Sequence, residues 1–342
     1  MKARVLMAVI TIAALISAPL SFAAKDEIGI FELLLESSQS FTETTAALDA
    51  ALANSAVQLR GSHDVRVPDN LHQARVYVLT SPAYAAAAAN EPARTISAQI
   101  LRIAVYTQGD EQKTFINMAN PVAHAMIFYE DSSNYDELVG AARDAAADIR
   151  ALVGALPGTA LSQQQAPRRS EKHYRKFKGD GPARMMAKFR SWEKSQLLIQ
   201  TAPADQFDAT VESVAASLAA GDVGDADNPS GWETIARVAL RDDAVYIGVT
   251  NPYIEDKMIR INSRFRGDAK SDSAPYPGVD HVAALPTDVL VVKEGDETLV
   301  LHYGQMWRMQ LYFWDSGYRA FTANVGVPGA IANSIEDAVE KR

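Results

Sequence analysis

Ser40-Phe-Thr-Glu-Thr-Thr-Ala-Ala-Leu-Asp-Ala-Ala-Leu52 and Asp205-Gln-Phe-Asp-Ala-Thr-Val-Glu-Ser-Val-Ala-Ala-Ser-Leu218 decide the fold, because they read as one helix written twice. Each opens on a residue able to cap a helix, with an acid three positions later, the order of a capping box. Behind the caps run Phe41, Thr45, Leu48, Leu52 and Phe207, Val211, Val214, Leu218, both at 4-3-4 spacing, so each helix has one apolar face to bury.

Outward from these helices the duplication continues in order. A strand precedes each, Ile28 to Leu35 and Gln196 to Thr201. Another follows, Ala74 to Thr80 before Ser81-Pro82 and Ala244 to Thr250 before Asn251-Pro252, each stopped where proline cannot extend a ladder. Ala98 to Tyr106 and Thr287 to Val292 then lead into Gly-Asp-Glu at 109 to 111 and 295 to 297, suited to hairpin turns, with Thr114 to Met118 and Thr298 to His302 returning. Aromatic blocks follow at Ala125 to Asp131 and Met309 to Asp315. The first copy closes on a helix from about Asn134 to Ala155, with Leu138, Ala142, Ala145, Ile149 and Leu152 along one side, and the second on Gly329 to Lys341. The reading is an α+β chain of two similar repeats, each a mostly antiparallel sheet with helices packed on one face.

Lys2 and Arg4, the apolar run Val5 to Ala18 and small residues at 21 and 23 form a secretory signal peptide over 1–23. The first repeat is placed at 25–158, a basic linker at 159–194 and the second repeat at 195–342. A signal peptide implies export to the periplasm or beyond, and no later apolar run is long enough for a membrane span. The 342 residues include no cysteine, which excludes disulfides, thiolate ligands, thiol nucleophiles and a cysteine-linked lipid. A formal net charge of -9 argues against nucleic acid as a partner.

These ordered strands and turns resemble the domain-of-unknown-function family number 302, occurring here as a tandem pair. The resemblance rests on Gly248-Val-Thr-Asn251-Pro252 with Met258 beyond it, and on Asn117-Met-Ala-Asn120-Pro121. The other copy departs at each place, with Thr80-Ser81-Pro82 and His302-Tyr-Gly304-Gln305. What the resemblance implies is a small α+β fold in each half and no activity.

Function is less legible. The turn asparagines Asn120 and Asn251 can either cap their own turns or face a ligand. His124 and His302 follow the hairpins, and Tyr303, Trp307, Tyr312 and Trp314 could line a groove between the halves or form a core. Histidines at 63, 72, 124, 173, 281 and 302 lack metal-pair spacing, so no metal or cofactor is expected. Asp222, Asp225, Asp227 and Asn228 lack the ligand order of a calcium loop. Between 168 and 190 lie nine lysines and arginines against Glu171 and Asp180. Within that segment Arg168, Arg169, Lys172, Arg175 and Lys176 are candidates for an anionic surface. No nucleophile elbow, phosphate loop or two-histidine helix is present. The expectation is an exported, soluble module that binds a small molecule or an envelope component; the alternatives are docking on the envelope through the basic linker and an uncharacterised hydrolase.

Overall fold

The computed structural model describes residues 27–68, 71–109, 111–181, 191–220, 227–265 and 278–340, without the side chains of 262–265. The signal peptide, Asp222 and Asp225 lie outside these residues, as do the basic residues between 182 and 190.

The chain is α+β, with two antiparallel sheets whose strand orders match. The first repeat runs β1 (Glu27–Ser37), α1 (Phe41–Leu52), β2 (Gln58–Val65), β3 (Ala74–Thr80), α2 (Pro82–Ala87), a 3-10 segment (Ala93–Gln99), β4 (Leu101–Gln108), β5 (Lys113–Ala119), α3 (Pro121–Phe128) and α4 (Tyr135–Gly154). After β6 (Gly158–Ser170) and a helical turn α5 (Glu171–Tyr174), the second repeats the series. Its elements are β7 (Gln196–Pro203), α6 (Phe207–Ala219), β8 (Glu233–Arg241), β9 (Ala244–Thr250), α7 (Pro252–Phe265), a 3-10 segment (Val279–Ala284), β10 (Thr287–Glu294), β11 (Glu297–Tyr303), α8 (Gln305–Phe313), α9 (Gly317–Ala323) and α10 (Val327–Glu340). The sheets read β2-β3-β4-β5-β1-β6 and β8-β9-β10-β11-β7.

The two heading helices bury the stripes expected of them. Phe41, Thr45, Leu48 and Leu52, and Phe207, Val211, Val214 and Leu218, all face the core, each large apolar side chain contributing roughly 1.5–3 kcal/mol. Their starts differ. Ser40 and Glu43 form the capping box, Oγ accepting from the Glu43 amide and the Glu43 carboxylate from the Ser40 amide. Asp205 does not cap: the Ala204 amide donates to the Asp296 carbonyl at 2.9 Å, the chain takes a 3-10 turn over Ala204–Gln206, and α6 begins at Phe207.

Strands β3, β4, β9 and β10 are buried at nearly every position, so both faces of each sheet are covered. Helices of the same repeat cover one face; across the other, the 3-10 segment of each repeat packs on the opposite sheet, 93–99 against β9 and β10 and 279–284 against β3, β4 and β5. One hydrophobic cluster therefore runs through both repeats. The segment read as a basic linker starts inside the first sheet, because β6 pairs antiparallel with β1 from Ser37↔Gly158 to Glu27↔Ser170.

Edge strands β2 and β8 also meet, and Gly61 makes that approach possible: a Cβ there would lie 1.9 Å from the Ile235 carbonyl oxygen. Because that oxygen belongs to backbone, it cannot turn away. Gly61→Ala is expected to cost about 1–3 kcal/mol, read as a lower urea midpoint. Gly140→Ala is expected to move the midpoint the other way by about 0.5–1 kcal/mol: it lies within α4 with open space around it.

Candidate functional site

The two asparagine-proline turns have different fates. Both asparagines cap helices, Asn120 Oδ1 accepting from Val122 N at 3.0 Å and Asn251 Oδ1 from Ile254 N at 2.9 Å. Asn120 also spends its amide, Nδ2 donating to the Gly29 carbonyl at 3.0 Å and to Gln164 Oε1 at 3.3 Å. It is a structural pin between α3, β1 and β6. Asn251 is 1% exposed and its Nδ2 has no partner among the described residues.

Asn251 stands on the wall of a cavity of about 530 Å³, lined also by His63, Asp64, Arg66, Trp232, Glu233 and Glu255. That volume falls in the usual range of small-molecule sites. Strand β2 of the first repeat supplies His63 and Asp64, with Arg66 just past its end; the second supplies Trp232 and Glu233 at the start of β8 and Asn251 and Glu255 at the start of α7. Glu255, 3% exposed, is held by three donors: His63 Nε2 at 2.7 Å, Thr250 Oγ1 at 2.9 Å and, on its other oxygen, the Arg66 amide at 2.7 Å. His63 Nδ1 lies 3.3 Å from Glu233 Oε1. Burial pushes the imidazole down, but the Glu255 hydrogen bond and charge, with Glu233 behind them, outweigh it and hold His63 above its ordinary 6.5. The wall thus joins a buried amide donor, an imidazole bridging two carboxylates and the positive end of a helix dipole. Such a set can recognise a ligand acceptor.

His124 lies elsewhere, inside the inter-repeat packing at 1% exposure. Its Nε2 accepts from Tyr312 OH at 2.8 Å and from Arg102 Nη2 at 3.1 Å. Burial, then the charges of Arg102 and Arg308, put its pKa well below the ordinary value, so it is the neutral acceptor this bonding needs. His302 is fully buried and bonds Glu336 Oε1 at 3.1 Å; burial depresses its pKa. Tyr303 and Trp307 stack at 5.8 Å, and both pack on Phe128. With Tyr312 they are buried, and none of the three lines this cavity, the acidic one below or a small apolar one of about 60 Å³ between α7, α8 and α10. Tyr303, Trp307 and Tyr312 are instead core, because the end of β11 and α8 turn these rings toward the other repeat, while Trp314 beyond α8 is half-buried and packs on Phe321.

The basic set divides as well. Arg169 is 2% exposed: its guanidinium pairs with Asp180 at 2.6 Å and donates to the Gln310 and Leu311 carbonyls at 2.9 and 3.0 Å. It is therefore no part of an exposed face. Arg175 stacks over Tyr135 at 4.2 Å and Arg168 bonds the Gln164 carbonyl, while Lys172 and Lys176 are exposed. Near them a cavity of about 280 Å³ gathers Glu91, Glu130, Asp131 and Glu193; burial and then the neighbouring acids push Glu130 up to about 7. Among the described residues no group of three or more His, Asp or Glu could hold a metal, and no helix is long and apolar enough to cross a membrane.

Sequence reasoning reached Asn251 through its turn and missed the rest of the wall. His63 and Glu255 stand 192 positions apart, in elements of different repeats, with no local signature.

No family model and no curated protein matches the chain. Among solved structures, it is similar to an uncharacterized conserved protein DUF302 from Bacillus stearothermophilus, at 18% identity and a TM-score of 0.30, over 36% of this chain and 95% of that one.

A raised histidine pKa has a definite sign: the His63 contribution to stability is fully present below about 6.5 and is lost as pH rises through the higher folded value. The stability difference between the wild type and His63→Gln, from urea melts at several pH values, is expected to shrink as pH climbs above neutrality. A difference that is flat or grows would contradict the bridge to Glu255.

Proposed function

We propose that this protein is an exported binding module that takes a small polar ligand in the cavity where β2 meets the start of α7. The observation that carries the reading is Asn251, 1% exposed, which lines a cavity of about 530 Å³ and whose Nδ2 has no partner among the described residues. Leaving a buried amide donor unmet costs about 1–3 kcal/mol, and a ligand oxygen placed against it recovers that. The N-terminal end of α7 favours an acceptor there, and a neutral carbonyl oxygen more than a carboxylate, since Asp64, Glu233 and Glu255 line the same cavity. The rest of the wall supports binding over catalysis, since Glu255 is already engaged by three donors and His63 by two carboxylates. Export rests on the sequence of residues 1–23. The repeats are read as a tandem pair of the domain-of-unknown-function family number 302, supported by their common strand order and the two asparagine-proline motifs.

Asn251→Asp is the informative variant, because aspartate keeps the capping oxygen and puts a second acceptor where the amide donor stood. In a thermal-shift screen of small carboxylates, amides and sugars, at least one class is expected to raise the melting temperature of the wild type. Asn251→Asp should melt below the wild type without ligand, because it buries a carboxyl on the same wall as Glu255, and should lose most of the ligand shift. A screen with no shift, or one unchanged in Asn251→Asp, would sink the proposal.

A further inference from the structure

Strand β7 has an edge that its counterpart lacks. In the first repeat β1 lies between β5 and β6; in the second, β7 pairs with β11 and no described strand lies on its other side. The two strands are equivalent residue by residue. Leu33↔Asn117 and Leu35↔Ile116 skip Leu34, and Leu198↔Leu301 and Gln200↔Val300 skip Ile199, so even the bulge recurs. Glu32 of β1 is fully buried and Leu33 half-buried, whereas their equivalents Leu197 and Leu198 of β7 are 39% and 56% exposed.

Among the described residues, other sheet edges carry protection that β7 does not. Strands β2 and β8 lie against each other, with Gly61 at the contact. The outer edge of β6 has Pro167, Arg168 and two register shifts against β1. Strand β7 reads Gln196-Leu-Leu-Ile-Gln-Thr-Ala-Pro203, without a charge and without a proline before its last position.

We propose that β7 joins two copies of this chain, edge to edge and antiparallel about a two-fold axis. Three points select a second copy as the occupant. A two-fold axis sets identical strands antiparallel, the sense in which β6 pairs with β1. A strand with no charge meets itself without like-charge repulsion, and its exposed leucines gain cross-strand neighbours. The bulge is no obstacle, since β1 carries the same one and still pairs with β6 on that side. The joined sheet would have ten strands, twice the five of the second repeat.

The test is sedimentation over about a hundredfold range of concentration, on the wild type, Leu198→Lys and Leu59→Lys. Leu59 is an equally ordinary exposed leucine, 43% exposed on β2, and serves as the control. The wild type and Leu59→Lys are expected to pass from monomer to dimer as concentration rises, with slower amide exchange over 196–203 in the dimer. Leu198→Lys is expected to stay monomeric with an unchanged circular dichroism spectrum. A wild type that is monomeric throughout, a dimer that survives Leu198→Lys, or one that Leu59→Lys disrupts equally would each overturn the proposal. Asn251→Asp should dimerise like the wild type, which separates this interface from the ligand cavity.

Discussion

Each sheet has a second apolar face that its own helices leave uncovered, and the molecule holds together because each repeat supplies the cover for the other. The 3-10 segments 93–99 and 279–284 do this reciprocally, as a near-two-fold arrangement demands. Near its axis such an arrangement sets equivalent residues close to one another, and a buried charge facing its own likeness would be costly. The strand registers make Arg102 and Asp288 equivalent, as Ile103↔Met118 corresponds to Val289↔His302. Where identical repeats would oppose two arginines, Asp288 offers Arg102 an attraction. Arg102 also donates to Tyr312 OH at 2.8 Å, and Arg308 spends its guanidinium on Thr287 and the carbonyls of Ala284 and Pro286. Divergence at the interface is thus a requirement of burying it.

The chain between the repeats takes part in the same packing. Phe177 lies under the Arg169 guanidinium at 4.7 Å and beside Trp307, and Trp192 packs on Phe128. Removing Asp180 would strand a buried cation, which is typically worth several kcal/mol. Basic composition is a poor guide to exposure here, because a single buried carboxylate and two carbonyls at the end of α8 are enough to bring an arginine inside.

The same divergence makes the cavity one-sided. Position 255 is a glutamate in α7, while the matching place in α2, three residues beyond Pro82, is Ala85. The asparagine at 251 is matched by Ser81, whose hydroxyl accepts from the Tyr84 amide and leaves no amide group behind. The cavity lies where one repeat carries polar groups that the other lacks, and β2 of the first repeat closes it with His63.

Local periodicity and turn chemistry were sufficient, from the sequence by itself, for the duplicated order of strands and helices, the antiparallel hairpins and the buried stripes of α1 and α6. These depend on spacings of two to four residues, which a linear reading captures. It also put Asn120 and Asn251, from two different turns, forward on the same grounds, and could not see that Gly29 and Gln164 complete one while the other lines a cavity. Only tertiary structure decided that β6 belongs to the first sheet, that Tyr303 and Trp307 are core, that Arg169 is buried, and that His63 meets Glu255 across the repeats. Each depends on a contact between distant positions, and its energy comes from burial and pairing that exist only once both sheets are in place.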